Sequence, residues 1–215
     1  MNNDLSGQIV AITGASSGIG EATALACARA GAAVSLAARR KQRIDELAER
    51  ISRDGGRALA IQTDVSDEAQ ATAFVQRTAA ELGRIDVLVN NAGVMLLGPI
   101  NGADTQEWRR MIDANVYGVL YCTHAALPLM LEQGSGHVVV VSSVAGRFAR
   151  AGSGVYNLTK HGVGAFSEAL RQEVAAAGLR VTLIEPGAVA TELPSHNRPE
   201  IIDAMRKTFA DVTPL

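Results

Sequence analysis

Three side chains in the sequence could together move a proton to or from a carbonyl or alcohol oxygen. Tyr156 and Lys160 have i, i+4 spacing in a helix-like stretch, so they would share one helix face. A phenol, with a pKa of about 10 in water, is a poor base at neutral pH, and a neighbouring ammonium group would lower that pKa. Ser143 follows a valine-rich strand, where its hydroxyl could hydrogen-bond the same oxygen. These residues predict general acid–base chemistry.

A glycine-rich loop follows the first predicted strand and leads directly into a helix. Residues 13–20 read T-G-A-S-S-G-I-G, with the spacing Gly-x-x-x-Gly-x-Gly. The first amides of a helix lack internal acceptors and carry the positive end of its dipole, so a pyrophosphate is a natural ligand there. Gly14 would allow the tight turn, Gly18 the approach of the phosphate, and Gly20 close packing of the helix on the sheet. The alternative is an ordinary strand-to-helix turn that happens to use glycine.

The end of the second predicted strand should select between two dinucleotides. An NAD site places an acidic residue there, on the ribose 2′-hydroxyl. This sequence has Ala38, followed by Arg39 and Arg40. A guanidinium can bind a 2′-phosphate through two hydrogen bonds, so the sequence favours NADP(H) over NAD(H). The alternative is that the two arginines only cap a solvated helix start.

The elements that must position these residues alternate between short apolar runs and longer helix-like stretches. The apolar runs do not alternate polar with apolar residues, which is typical of strands buried on both faces. We expect six strands, at 8–13, 33–37, 58–63, 86–89, 137–142 and 180–185. We expect helices at 19–30, 41–53, 66–82, 105–133 and 155–177, and a last one at 200–209. The pattern predicts a doubly wound, mostly parallel α/β sheet with helices on both faces, as in Rossmann-like folds.

Two local features of the helices can also be predicted. Ser66 is placed to cap the third helix at its N-terminus, with Gly83 just past its end. The long stretch over residues 105–133 contains Pro128, so we expect it to break or bend there.

Composition excludes several classes of partner. The chain has 215 residues, of which 47% are hydrophobic and 4% aromatic, and a formal net charge of −2. It is therefore long and apolar enough for a sizeable core, and we expect one catalytic domain over residues 1–215. The weak charge and few aromatic residues argue against nucleic acid or a membrane as partner. Two cysteines, without metal-ligand spacing, fit a reducing cytoplasmic setting and no metal site.

Four further segments complete one pattern with the glycine loop. They are Asp64-Val65, the sequence N-N-A-G at residues 90–93, Ser143, and Y-x-x-x-K at residues 156–160. Together, from about residue 7 to residue 191, they resemble a classical short-chain dehydrogenase/reductase. The resemblance implies an oxidoreductase that transfers a hydride between NADP(H) and a carbonyl or secondary alcohol. It implies no metal, because the phenol and the serine would polarise the substrate.

The resemblance also assigns a role to each motif. It makes Tyr156 the acid/base, has Ser143 orient the substrate, and has Lys160 tune the tyrosine and bind the nicotinamide ribose. Asn115 would support a water in a proton relay, whereas Ser142 would only end its strand. The implied cofactor contacts are Gly14, Ser17, Gly18, Ile19, Gly20, Arg39, Arg40, Asp64, Val65, Asn91, Ala92, Gly93, Tyr156, Lys160, Pro186, Gly187, Val189 and Thr191. Without the other motifs, Asp64 would be read as an acid at a helix N-terminus.

Beyond these motifs, the resemblance predicts a substrate lid over residues 190–215. Members of the family usually continue through another helix and a seventh strand, and we expect this sheet to lack both. A homo-oligomer, a dimer or tetramer, is implied if those C-terminal elements exist. The expected pocket residues, 94–97, 144–150 and Ser153, are mostly apolar, which indicates a hydrophobic carbonyl substrate. The alternative is a substrate whose anionic group is met by Arg147 or Arg150. The alternative function is a dinucleotide-binding sensor or scaffold without catalysis, which could do without Tyr156 or Lys160.

Overall fold

A single parallel sheet forms the centre of the molecule. The computed structural model describes the backbone of residues 4–208 and the side chains of residues 4–203. Its six strands have the order β3-β2-β1-β4-β5-β6 and pair in parallel throughout. The strands are β1 Ile9–Thr13, β2 Ala33–Ala38, β3 Arg57–Gln62, β4 Val87–Asn90, β5 His137–Val141 and β6 Arg180–Ile184. The predicted doubly wound α/β architecture is confirmed.

Helices connect the strands and cover both faces of the sheet. They are α1 Gly18–Arg29, α2 Lys41–Arg53, α3 Glu68–Leu82, α4 Thr105–Ile112, α5 Gly118–Gln133, α6 Gly154–Val174 and α7 Pro199–Thr208. A π-helical turn, Asp113–Tyr117, joins α4 to α5, and a 3-10 turn, Val144–Gly146, follows β5. The helix predicted at residues 200–209 is present as α7. The part of the predicted lid over residues 209–215 lies outside the described residues.

Neighbouring residues of one strand pack into different cores, which explains why the strands show no polar–apolar alternation. Leu88 of β4 belongs to a core with Phe74 of α3 and Met130 of α5. The next residue, Val89, belongs to a core on the opposite face, with Ile44 of α2. Successive side chains of a strand point to opposite faces, so a strand covered by helices on both sides must be apolar throughout.

The predicted break at Pro128 is wrong. Helix α5 continues through this proline, and the irregularity lies instead at the π-helical turn Asp113–Tyr117. A proline removes the hydrogen bond to the carbonyl four residues earlier, here that of His124. Both Pro128 and His124 are exposed, so water can satisfy that carbonyl, while the flanking Ala126 and Met130 are buried and hold the helix on the core.

The predicted cap of the third helix is also wrong by one residue. Asp67, rather than Ser66, is the N-cap of α3, and its carboxylate accepts a hydrogen bond from the backbone N–H of Gln70 at 3.1 Å. The Ser66 hydroxyl instead donates to the carboxylate of Asp64 at 2.7 Å. Asp64 and Asp67 thus both accept hydrogen bonds at the start of this helix. Ser66 is engaged by Asp64, so Asp67 is left to cap the helix.

Within residues 4–208, no helix is long and apolar enough to cross a membrane. The described side chains also contain no group of three or more His, Cys, Asp or Glu residues arranged to hold a metal ion.

Candidate active site

The site lies where β1 and β4 are neighbours in the sheet but connect in opposite directions. Open α/β sheets bind ligands at such a point, outside the carboxyl ends of the strands. Here Thr13 ends β1, and its hydroxyl donates to the carbonyl of Val89 and accepts from the backbone N–H groups of Asn91 and Ala92. The Asn91 side chain in turn donates to the carbonyls of Thr13 and Gly14. The loops after β1 and β4 are therefore locked together.

The glycine loop has a shape that larger residues could not adopt. Gly14 and Gly18 have φ angles of 67° and 57°, in the left-handed region that favours glycine. A Cβ on Gly20 would clash with the Gly14 carbonyl and with the Asn91 side chain. The side chain of the N-cap residue Ser17 makes no capping hydrogen bond, so the first amides of α1 are available to an anion. The loop thus fits the predicted pyrophosphate.

Tyr156, Lys160 and Ser143 meet at the carboxyl end of β5. Tyr156 and Lys160 are buried one turn apart on α6, and Ser143 is half-buried just past β5. The Lys160 ammonium donates to the carbonyl of Val141 at 3.0 Å and lies 5.8 Å from the centre of the Tyr156 ring. The Ser143 hydroxyl accepts a hydrogen bond from the Ala145 N–H at 3.1 Å and lies close enough to the Tyr156 phenol to lower its pKa. The predicted acid–base group is therefore assembled in space.

The pKa of Tyr156 departs from the prediction. Burial raises the pKa of this phenol above its usual value, and the nearby Ser143 hydroxyl only partly opposes that change. Burial also lowers the pKa of Lys160, to about 8. The expected net lowering of the tyrosine pKa is wrong for the protein alone, because loss of solvent around the phenol raises it by more than Ser143 lowers it. The phenol is consequently protonated at neutral pH.

Asn115 lies in the π-helical turn and is fixed by the loop after β4. Its amide oxygen accepts from the backbone N–H of Val94 at 2.8 Å, and its amide nitrogen donates to the Val94 carbonyl and the Thr159 hydroxyl. A Cβ on Gly93 would lie 3.0 Å from the Asn115 amide oxygen and 3.8 Å from the Lys160 nitrogen. Because Gly93 has no side chain, the narrow gap between Asn115 and Lys160 stays open. π-Turns recur at functional sites, and this one places Asn115 beside Lys160.

Two residues to which the sequence assigned no chemistry also shape this end of the site. Ser142 is buried, and its hydroxyl donates to the backbone carbonyl of Lys160 at 3.0 Å, which ties β5 to α6. Asn157 is buried next to Tyr156, and its amide nitrogen donates to the carbonyls of Ala145 and Phe148. Its amide oxygen accepts from the Ser153 hydroxyl and, at 3.4 Å, from the Arg150 backbone. Asn157 therefore holds the loop that begins at Ser143.

The arginines after β2 behave differently from one another. Arg40 donates to the hydroxyls of Ser16 and Ser17 in the glycine loop and forms an ion pair with Glu192 at 2.7 Å. Arg43 of α2 forms a second ion pair with the same carboxylate, also at 2.7 Å. The exposed side chain of Arg39 forms no hydrogen bond or ion pair within the described part of the chain. Sequence reasoning gave no role to Glu192 or Arg43.

The other predicted cofactor residues lie at the same edge of the sheet, with two side chains engaged elsewhere. The Asp64 carboxylate accepts hydrogen bonds from Ser66, as an acid at a helix start would. Val65 is buried against Gly118, and a Cβ added to Gly118 would lie only 2.7 Å from the Val65 side chain. After β6, Thr191 lies against Gly18, and Pro186, Gly187 and Val189 precede it in the same loop. This loop is held near Ser143, because the Val144 N–H donates to the Pro186 carbonyl at 3.0 Å.

A segment that we call the strap, residues 191–197, crosses the site. One end is held by the ion pairs of Glu192. At the other end the buried Asn197 accepts from the Leu97 N–H at 2.6 Å and donates to the carbonyls of Met95 and Pro194. The strap therefore connects the arginines after β2 to the apolar loop after β4.

Comparison with known proteins places this geometry in a family. The family model described as short chain dehydrogenase matches residues 8–201. The chain belongs to this family. Short-chain dehydrogenases are oxidoreductases, and an uncharacterized oxidoreductase of Staphylococcus saprophyticus is 43% identical over 197 residues, which cover 90% of this chain and 79% of that protein. The glycine betaine reductase of Emericella nidulans is 45% identical over 189 residues, 88% of this chain. Our chain spans only 15% of that protein's length.

Solved structures of short-chain dehydrogenases agree with the fold. A short-chain type dehydrogenase/reductase from Mycobacterium marinum superposes with a TM-score of 0.89 at 34% identity, covering 96% of this chain and 81% of that one. A Burkholderia phymatum member in complex with NAD gives 0.87 at 30% identity, covering 93% and 73%. A serine dehydrogenase in complex with NADP⁺ gives 0.88 at 36% identity, covering 96% and 83%. Both dinucleotides thus occur among the similar structures.

Proposed function

We propose that this short-chain dehydrogenase transfers a hydride between NADP(H) and a carbonyl compound or secondary alcohol, with Tyr156 as general acid/base. One observation carries the proposal: the Tyr156 phenol and the Lys160 ammonium are buried one turn apart on α6, next to Ser143 and beside a loop shaped for pyrophosphate. When bound, the dinucleotide supplies or accepts the hydride.

The raised pKa of Tyr156 suits donation of a proton to a carbonyl oxygen. A protonated phenol at neutral pH can give its proton as negative charge develops on the substrate oxygen, and the Ser143 hydroxyl can hold the same oxygen. Lys160, with a pKa of about 8, is largely cationic at pH 7 and stabilises the phenolate that this step leaves behind. In alcohol oxidation the same groups act in the reverse direction.

The choice of NADP(H) rests on the arginines and not on the similar structures, which include both dinucleotides. Ala38 ends β2 where an NAD site would carry a carboxylate. Arg39 has its donors available, and Arg40 lies against the hydroxyls of Ser16 and Ser17. Gly14, Gly18 and Gly20 would hold the pyrophosphate, and Asn91, Ala92 and Gly93 would line the ribose.

The remaining proposals concern the substrate and the setting. The loop after β4, Val94 to Leu97, is apolar and packs into one cluster with Tyr156, so a hydrophobic carbonyl compound is the proposed substrate. Cys27 and Cys122 are both free thiols, which supports a reducing compartment such as the cytoplasm. Assembly into a homo-oligomer stays a prediction.

A spectrophotometric screen tests the activity. NADPH absorbance is followed with a panel of aliphatic, cyclic and aromatic aldehydes and ketones, and NADPH binding is measured separately by calorimetry. We expect NADPH oxidation with at least one apolar carbonyl compound. Tight NADPH binding without turnover on any member of the panel, in either direction, would favour the sensor or scaffold instead.

A further inference from the structure

The Glu192 carboxylate lies between two arginines and forms an ion pair with each. One of its oxygens accepts from Arg40 and the other from Arg43, each at 2.7 Å. Charge-assisted bonds of this kind are also how guanidinium groups bind phosphate oxygens. The chain therefore fills an anion site with its own side chain.

The rest of the Arg40 guanidinium is bound to the glycine loop. Its Nε and one terminal nitrogen donate to the Ser16 hydroxyl at 3.0 and 2.9 Å, and that terminal nitrogen also donates to Ser17 at 2.7 Å. The remaining terminal nitrogen faces Glu192. An anion that binds Arg40 at this nitrogen therefore meets the Glu192 carboxylate as a competitor.

The ion pairs face open space that a dinucleotide could enter. A cavity of about 430 Å³ lies beside the glycine loop, lined by Ser17, Gly18, Glu21, Arg43, Ala190, Thr191 and Glu192. Because Arg40, Arg43 and Glu192 are all about half exposed, exchanging one anion for another requires no opening of the core.

We propose that Glu192 competes internally with the dinucleotide 2′-phosphate for Arg40 and Arg43, and thereby limits the preference of the chain for NADP(H). The inference rests on the proposed function. A 2′-phosphate carries a charge of about −1.5 to −2 at neutral pH and outcompetes a single carboxylate for the two guanidinium groups. A dinucleotide without that phosphate leaves Glu192 in place, so Glu192 weakens the binding of the phosphorylated form only.

Calorimetric titration of the full chain with two adenine nucleotides tests this competition. Adenosine 2′,5′-bisphosphate carries the 2′-phosphate and adenosine 5′-monophosphate lacks it, and neither needs catalysis for its readout. The variant is Glu192→Gln, which keeps the size and removes the charge. The control is Glu46→Gln on α2, because Glu46 lies near Arg43 but accepts a hydrogen bond from Gln42 instead.

We expect Glu192→Gln to tighten binding of the bisphosphate about 3- to 10-fold, because two exposed ion pairs no longer compete. Binding of the monophosphate should change less than twofold, and Glu46→Gln should change neither. Unchanged or weaker bisphosphate binding by Glu192→Gln, or equal tightening of both nucleotides, would overturn the inference. If the wild-type chain does not distinguish the two nucleotides at all, the NADP(H) preference in the proposed function fails as well.

Discussion

The two ends of the site are built in different ways. At the catalytic end, Tyr156 and Lys160 are only 6% and 7% exposed, and Asn115 is 1% exposed. At the end proposed to hold the adenosine half of the dinucleotide, which we call the adenosine end, the side chains of Arg40 and Glu192 are each 41% exposed and meet in ion pairs. One end is part of the packed interior, whereas the other is an exposed charged surface.

This difference assigns the two ends different tasks. A buried polar group that loses its partner costs about 1–3 kcal/mol, so the catalytic geometry has few alternatives. An exposed ion pair is worth only about 0–1 kcal/mol, so the partners at the adenosine end exchange readily. Under the proposed function, the geometry of proton transfer is therefore fixed by folding, while the choice of dinucleotide is set by exchangeable charges.

The largest effect after loss of the tyrosine itself is expected at Lys160. Lys160→Met should lower turnover by about 100- to 1,000-fold, because the phenolate formed at Tyr156 loses its neighbouring cation. Steady-state NADPH oxidation with a substrate from the screen measures this. The Lys41→Met variant, which removes an exposed lysine on α2, is the control and should keep its rate. A fall of less than fivefold in Lys160→Met would contradict the role of the buried cation.

The same buried lysine makes stability depend on pH. Its pKa is about 8 when folded and 10.5 when exposed, so between these values the unfolded chain binds more protons than the folded one. Its contribution to the free energy of unfolding therefore increases with pH across that window. Below pH 8 both states are protonated and the cost of burial is complete.

Lys160→Met should consequently stabilise the protein by about 1–3 kcal/mol at pH 7 and by progressively less up to pH 10.5. Urea unfolding of both proteins at several pH values gives the difference directly. A variant that is less stable than the wild type at pH 7, or a pH-independent difference, would contradict the assignment.

Asn157 tests whether the loop from Ser143 depends on buried hydrogen bonds. Asn157→Ala should lower the free energy of unfolding by about 2–3 kcal/mol, since it leaves loop carbonyls without a donor. Turnover should fall about 10- to 100-fold through misplacement of Ser143, with NADPH affinity nearly unchanged. The exposed neighbour Leu158→Ala is the matched control. Equal losses in turnover and in NADPH affinity would indicate general disruption of the site instead.

A smaller effect, on dinucleotide affinity, is expected when the charge of the exposed residue Arg39 is reversed. Arg39→Asp should weaken the binding of NADPH about tenfold relative to the binding of NADH, because a carboxylate repels the 2′-phosphate. The ratio of the two dissociation constants measures it, with Arg53→Asp at the far end of α2 as control. An unchanged ratio would mean that Arg39 does not face the 2′-phosphate.

The smallest effect is expected on stability at the adenosine end. Arg43→Met should change the free energy of unfolding by no more than about 0.5 kcal/mol, because its ion pair with Glu192 is exposed. Urea unfolding at neutral pH measures this change. A loss above about 1.5 kcal/mol would show that this end is as tightly built as the catalytic end.

Much of the fold and the main groups of the site could be predicted because they depend on local patterns. Strands that are apolar throughout, such as β4, indicated burial on both faces, and the glycine spacing indicated the loop before α1. Tyr156 and Lys160 share a helix face by geometry alone. These features follow from periodicity and from backbone conformation, which a sequence expresses directly.

What could not be predicted depends on partners far along the chain or on depth of burial. Glu192 meets an arginine 152 residues away, and Asn197 meets a backbone group 100 residues away. The π-helical turn at Asn115 has no local signal in the sequence. Pro128 is the stronger signal for an irregular helix, and it indicated the wrong position. The direction of the Tyr156 pKa change required knowing how deeply the phenol is buried.

The central claim is that the Tyr156 phenol carries the proton. A single-turnover experiment tests it most directly: enzyme loaded with NADPH is mixed with a saturating carbonyl substrate. The wild type is compared with Tyr156→Phe and with Tyr121→Phe, which changes a tyrosine of α5 that stacks on Tyr117. We predict that Tyr156→Phe oxidises NADPH at least about 100-fold more slowly while binding it normally, and that Tyr121→Phe matches the wild type. A Tyr156→Phe rate within threefold of the wild type would contradict the account.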